Sequence, residues 1–85
     1  MESLEKSLAM RLKLTDLTIQ KFKHQHPQIT YWDTMLPAFG VRVGTRSKTF
    51  IVMQGKTRKR QTLGRYPATK LQDAREQARI ARQSG

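Results

Sequence analysis

Eighty-five residues make one small domain, which buries only about 60% of the surface its unfolded chain exposes, so a deep enclosed catalytic pocket is not expected. Without cysteine there is neither a disulfide framework nor a thiolate metal site, and the expected compartment is the cytoplasm. Seventeen Lys and Arg against six Asp and Glu give a formal charge of +11, a field that draws polyanions, of which nucleic acid is the commonest inside a cell. An anionic membrane surface suits the charge alone, but the basic residues fall in strand patterns rather than on a basic amphipathic helix.

The chain opens with MESLEKSLAMRLKL, where Glu2, Glu5, Lys6, Arg11 and Lys13 interrupt the apolar positions. That excludes a signal peptide or a membrane span. Leu4, Leu8 and Leu12 stand at i, i+4 spacing, which fits a short helix, while a flexible leader over residues 1–13 fits equally well. Thr15 then reads as an N-cap, with Asp16 in the first turn of a short helix that stops near Lys23. His24, Gln25, His26 and Pro27 form a polar connector, because proline disfavours helix at the residue before it. The two histidines alone do not make a metal site, which needs further ligands.

Ile29 to Thr34 is rich in β-branched and aromatic residues and predicts a first strand, ended by Met35, Leu36 and Pro37. Its Trp32 reads as a core or edge-covering ring. Phe39, Val41 and Val43 alternate with Gly40, Arg42 and Gly44, the period of a half-buried strand, and Thr45 to Ser47 turn the chain. The next strand is apolar on both sides, Phe50 and Val52 on one and Ile51 and Met53 on the other, which predicts an interior position. Gln54 to Thr57 supply a hairpin turn. Arg58 to Leu63 follow as a last strand, and Gly64 to Ala68 turn the chain again. Thr69 as N-cap with Gln72 as capping-box partner opens a final helix, whose Leu71, Ala74, Ala78 and Ala81 form a stripe of mostly small residues suited to close packing on a sheet.

Between Thr34 and Gln72 there is no acidic residue, while Arg42, Arg46, Lys48, Lys56, Arg58, Lys59, Arg60, Arg65 and Lys70 all lie there. Arg42, Arg58 and Arg60 share one face if their strands are adjacent and in register, and guanidinium groups on such a face can reach base edges in a groove. Arg46, Lys48 and Lys56, in or beside turns, are placed for phosphates, with Lys59 next to them. Met53 and Ile51 are set either to touch thymine methyls or to lie under the N-terminal segment. Tyr31 and Tyr66 read as packing residues. No Ser/His/Asp arrangement, phosphate-binding glycine loop or carboxylate pair points to an enzyme.

In order along the chain, LTD, YWDTMLPAFGVRV, KTFIV and TLGRYPATKLQDAREQAR resemble the N-terminal arm-type DNA-binding domain of tyrosine recombinases, the integrases of phages and genomic islands. The resemblance spans roughly residues 14 to 83. It implies an α+β domain over 14–85: a three- to four-stranded antiparallel sheet, a short N-terminal helix, and a C-terminal helix packed on one face, with the other face laid in the major groove. It also implies a non-catalytic module without cofactor or small-molecule substrate. Its partners would be double-stranded DNA and other integrase subunits, and a separate C-terminal domain would cut DNA with a tyrosine nucleophile during integration or excision of a prophage or mobile element. The chain's end, directly after a helix, reads as a cut between domains. An RNA-binding module is the alternative, as is a protein-interaction module in which Arg75, Arg79 and Arg82 pair with an acidic partner.

Overall fold

The protein is described by a computed structural model over residues 9–54 and 59–84. Along the chain run β1 (Ala9–Leu12), α1 (Asp16–Lys21), β2 (Ile29–Asp33), β3 (Phe39–Val43), β4 (Lys48–Met53), β5 (Arg60–Tyr66) and α2 (Leu71–Ser84). The strands form one sheet in the order β1-β2-β3-β4-β5. Strands β2 to β5 are antiparallel neighbours, whereas β1 lies parallel to β2.

The α+β class and the helix on one face therefore hold, but the sheet has five strands and is mixed rather than purely antiparallel. The extra strand comes from the residues read as a leader or helix. Leu12 pairs with Asp33 in β1, so its leucine spacing is not expressed as a helix there; residues 1–8 lie outside the described part.

Local chemistry explains the short helix. Thr15 is extended and its Oγ1 accepts a hydrogen bond from the Thr18 amide at 3.1 Å, the N-cap the sequence signalled. The helix ends two residues before Lys23, where Phe22 leaves helical geometry and stacks on Tyr31 with ring centroids 3.9 Å apart. The connector after it is pinned to the sheet by the Gln25 amide on the Gly44 carbonyl at 3.0 Å.

The core lies between the sheet and the helices. Phe39, Val41, Phe50 and Val52 alternate toward Leu14, Ile19, Leu71, Ala74, Ala78 and Ala81, all buried. The stripe on α2 packs as its spacing predicted. Phe39 and Phe50 stack at 5.8 Å, and Tyr66 meets Phe50 edge-on at 6.1 Å, so both tyrosines pack against neighbouring rings.

Where β5 passes Phe50, Leu63 is an extra residue, since Phe50 pairs with Gly64 and Ile51 with Thr62. This bulge needs glycine: Gly64 has φ +150°, and a Cβ there would collide with the Thr69 Oγ1. The consequence is that β5 continues through Arg65 and Tyr66, residues the sequence placed in a turn. The Thr69 cap is also corrected. The helix begins at Leu71, and the Lys70 carbonyl accepts the bond from the Ala74 amide, so Lys70 holds the capping position while the Thr69 side chain packs over Gly64.

Asp33, at the end of β2, ties the layers together. Its side chain is fully buried. Oδ1 accepts from the amides of Leu14 at 3.2 Å and Met35 at 3.1 Å, and Oδ2 receives the Arg75 Nε at 3.2 Å. Arg75 also donates to the Leu14 carbonyl. One carboxylate thus fixes β2, the β1–α1 connection and α2.

Candidate nucleic-acid interface

Cross-strand partners share a face of a sheet, so the pairing register assigns every strand residue to the helix side or the open side. On the open side one row reads Thr30, Arg42, Thr49, Arg65 across β2 to β5. The next reads Arg11, Trp32, Gly40, Ile51, Thr62 across all five strands, and beyond it Met53 faces Arg60. Four guanidinium-bearing residues, Arg11, Arg42, Arg60 and Arg65, therefore stand on one face. Arg42 and Arg65 are separated by two inter-strand spacings, about 10 Å, against a major groove about 12 Å wide.

The middle row is filled rather than bare. Gly40 is what permits this, since a Cβ there would lie 2.7 Å from the Tyr31 carbonyl oxygen and 2.9 Å from the indole Cε3 of Trp32. The half-buried ring lies against the glycine, and Ile51, next in the row, is 1% exposed. Ile51 is thus withdrawn from solvent, whereas Met53 at the strand end is partly accessible.

The residues singled out in the sequence separate into groups. Arg42 is half-buried and Arg60 exposed on the open face. They are not on adjacent strands, because β4 lies between β3 and β5; Thr49 bridges Arg42 to Arg65 instead. Arg46 is exposed in the β3–β4 turn, closed by the Gly44 amide on the Ser47 carbonyl at 3.0 Å. Lys59 is exposed beside β5, its carbonyl accepting from the Gln54 amide at 2.9 Å. Lys56 and Arg58 lie outside the described residues. Lys48 faces the helix side, where its Nζ donates to the carbonyls of Ile19 at 2.8 Å and Gln20 at 3.3 Å, neutralising the C-terminal end of α1.

Arg65 and Arg11 join the open face without having been singled out for it in the sequence. Arg65 escaped because the bulge breaks the two-residue period after Thr62, and a glycine flanked by polar residues mimics a turn. For Arg11 no local signal exists, since its strand is set by pairing with β2.

Acidic groups keep to the other side. Among the described residues, Asp16, Asp73 and Glu76 border one hollow beside α2, and Asp33 is buried. Arg79 pairs with Glu76 at 3.2 Å, so two of the three helix arginines considered for an acidic partner already have internal ones. No three His, Asp or Glu side chains gather as a metal site among the described residues, and no helix there is long and apolar enough to cross a membrane.

A sheet backed by helices on one side and studded with arginines on the other is a surface suited to a polyanion. The model of the Arm DNA-binding domain family matches residues 14–84, and the chain belongs to this family of non-catalytic domains found in tyrosine recombinases. Comparisons with curated proteins and with solved structures found no match.

Proposed function

We propose that this domain binds arm-type sites in double-stranded DNA as the N-terminal module of a site-specific integrase of a prophage or mobile element, working in the cytoplasm beside other integrase subunits. The open sheet face enters the major groove. The observation that carries this reading is the sorting of charge by face: Arg11, Arg42, Arg60 and Arg65 share the open side, and no acidic residue among those described shares it. Guanidinium donates two parallel hydrogen bonds to guanine edges or to phosphate. Arg60, exposed at the start of β5, reads bases in this arrangement, while Lys56 and Lys59 hold phosphates.

The test is an anisotropy titration with a duplex selected from a random pool, repeated over a salt series. Log affinity should fall linearly with log salt, by about 0.9 per phosphate neutralised. If no duplex is retained at low salt, the reading fails. Arg60→Ala should cost about 1–3 kcal/mol on the selected duplex and clearly less on a scrambled one; equal losses on both would remove its base-reading role. Single-stranded and structured RNA competitors at the same salt should displace the duplex poorly, whereas strong displacement would favour an RNA partner.

A further inference from the structure

We propose that a cleft at the corner of the sheet is a second anchoring point, a site that grips a backbone phosphate of the duplex outside the groove through His24, Arg46 and Arg65. This rests on the reading of the open face as the DNA-bearing surface and adds a contact beyond it. The cleft, about 400 Å³ in volume, is lined among others by Gln20, His24, Arg46, Ser47, Lys48 and Arg65, and none of the described residues that line it is acidic. Three parts of the chain converge there: the connector after α1, the β3–β4 turn and the end of β5.

The walls are held in place rather than left to chance. The Gln25 amide on the Gly44 carbonyl and the Gly44 amide on the Ser47 carbonyl, both 3.0 Å, lock the connector to the turn. Lys48, through the Ile19 and Gln20 carbonyls, offsets the negative end of α1 that would otherwise oppose an anion. The ion pairs between described residues, Arg75 with Asp33 and Arg79 with Glu76, leave His24, Arg46 and Arg65 uninvolved, and all three are exposed. His24, Arg46, Arg65, Ser47 and Gln20 thus border one opening, residue types whose donors match phosphate oxygens.

Continuity with the open face selects the source of that phosphate. Arg65 stands in the row that runs through Thr49 to Arg42, so a backbone strand crossing Arg42 reaches the cleft by way of Arg65. There it turns around the sheet's edge instead of following the groove.

The experiment walks a single neutral methylphosphonate along both strands of the selected duplex and measures affinity for the wild type, His24→Ala and Arg46→Ala. Both variants alter exposed side chains outside helix and strand, and their melting temperatures serve as the check on folding. For the wild type, one or two flanking positions should weaken binding roughly tenfold, the size of a charge-assisted hydrogen bond. At those positions the two variants should lose less than about twofold, and the salt slope of Arg46→Ala should be smaller by about 0.9. If every position costs the variants as much as the wild type, or if the Arg46→Ala slope is unchanged while the wild-type duplex still binds and Arg60→Ala still weakens it, the cleft holds no phosphate although the groove reading stands. Loss of all duplex binding by the wild type overturns both.

Discussion

Strand β4 presents two different surfaces. Toward the helices it sends Phe50 and Val52, both fully buried, along with Lys48; toward the open side it sends Thr49, Ile51 and Met53, in line with arginines on β3 and β5. Cations occur on both sides of the molecule, but their surroundings differ. Two on the helix side, Lys48 and Arg75, are matched to carbonyls and a carboxylate. Those on the open side look outward over a surface where no described residue exposes a carboxylate, Asp33 beneath it being fully buried. The difference teaches that a high net charge does not by itself mark every basic residue as a contact. Facing decides whether a cation stabilises the fold or serves a polyanion.

Removing the buried partner on the helix side is the harshest way to break this contrast. Asp33→Ala leaves the Leu14 and Met35 amides and the Arg75 Nε without their acceptor, and losing one member of such a buried pair costs about 3 kcal/mol or more. Urea unfolding should show that loss in the midpoint. The fraction that remains folded should keep the wild-type salt slope for DNA. A lowered slope would mean that the two sides are not separable.

Much of this division was legible in the sequence, and the reasons are local. Alternation through Phe39–Val43 and the two-sided apolar run of β4 report burial directly, Thr15 marks a cap with its own hydroxyl, and the spacing of Leu71, Ala74, Ala78 and Ala81 draws the packed face of α2. What stayed hidden depends on partners far along the chain. Ala9–Leu12 has little intrinsic strand preference and becomes a strand only by pairing with Ile29–Asp33. The lysine at the start of β4 looks like a loop cation until α1 folds back to offer its carbonyls. Arg65 joins the open face only because the bulge at Gly64 absorbs an extra residue, and Trp32 occupies that face because the glycine opposite, Gly40, leaves it room.

Lys48 sharpens the contrast at smaller scale, since the same side chain was expected to hold phosphate. Lys48→Met keeps the aliphatic stem but removes the donor to the Ile19 and Gln20 carbonyls. It should lower stability by about 1 kcal/mol, read as a drop in melting temperature. On the reading developed above, its salt slope for the selected duplex stays at the wild-type value. A slope smaller by about 0.9 would instead give Lys48 a phosphate of its own.

The smallest effect tests whether stability can rise without touching the binding side. Ala38, in the turn between β2 and β3, has φ 70°, a left-handed conformation that costs a residue with a Cβ about 1–2 kcal/mol. Its carbonyl accepts the Met53 amide at 2.9 Å, so the turn is held in this shape by the β3–β4 ladder. Ala38→Gly relieves the strain but loosens the unfolded chain, and the two terms oppose each other. The net gain should be about 0.5–1 kcal/mol, seen as a small rise in melting temperature with DNA affinity unchanged. A fall in stability would mean that the alanine methyl packs more favourably than its backbone is strained. A change in affinity at constant stability would mean that this turn, which borders Arg11, Trp32 and Met53 in one hollow on the open side, belongs to the binding surface after all.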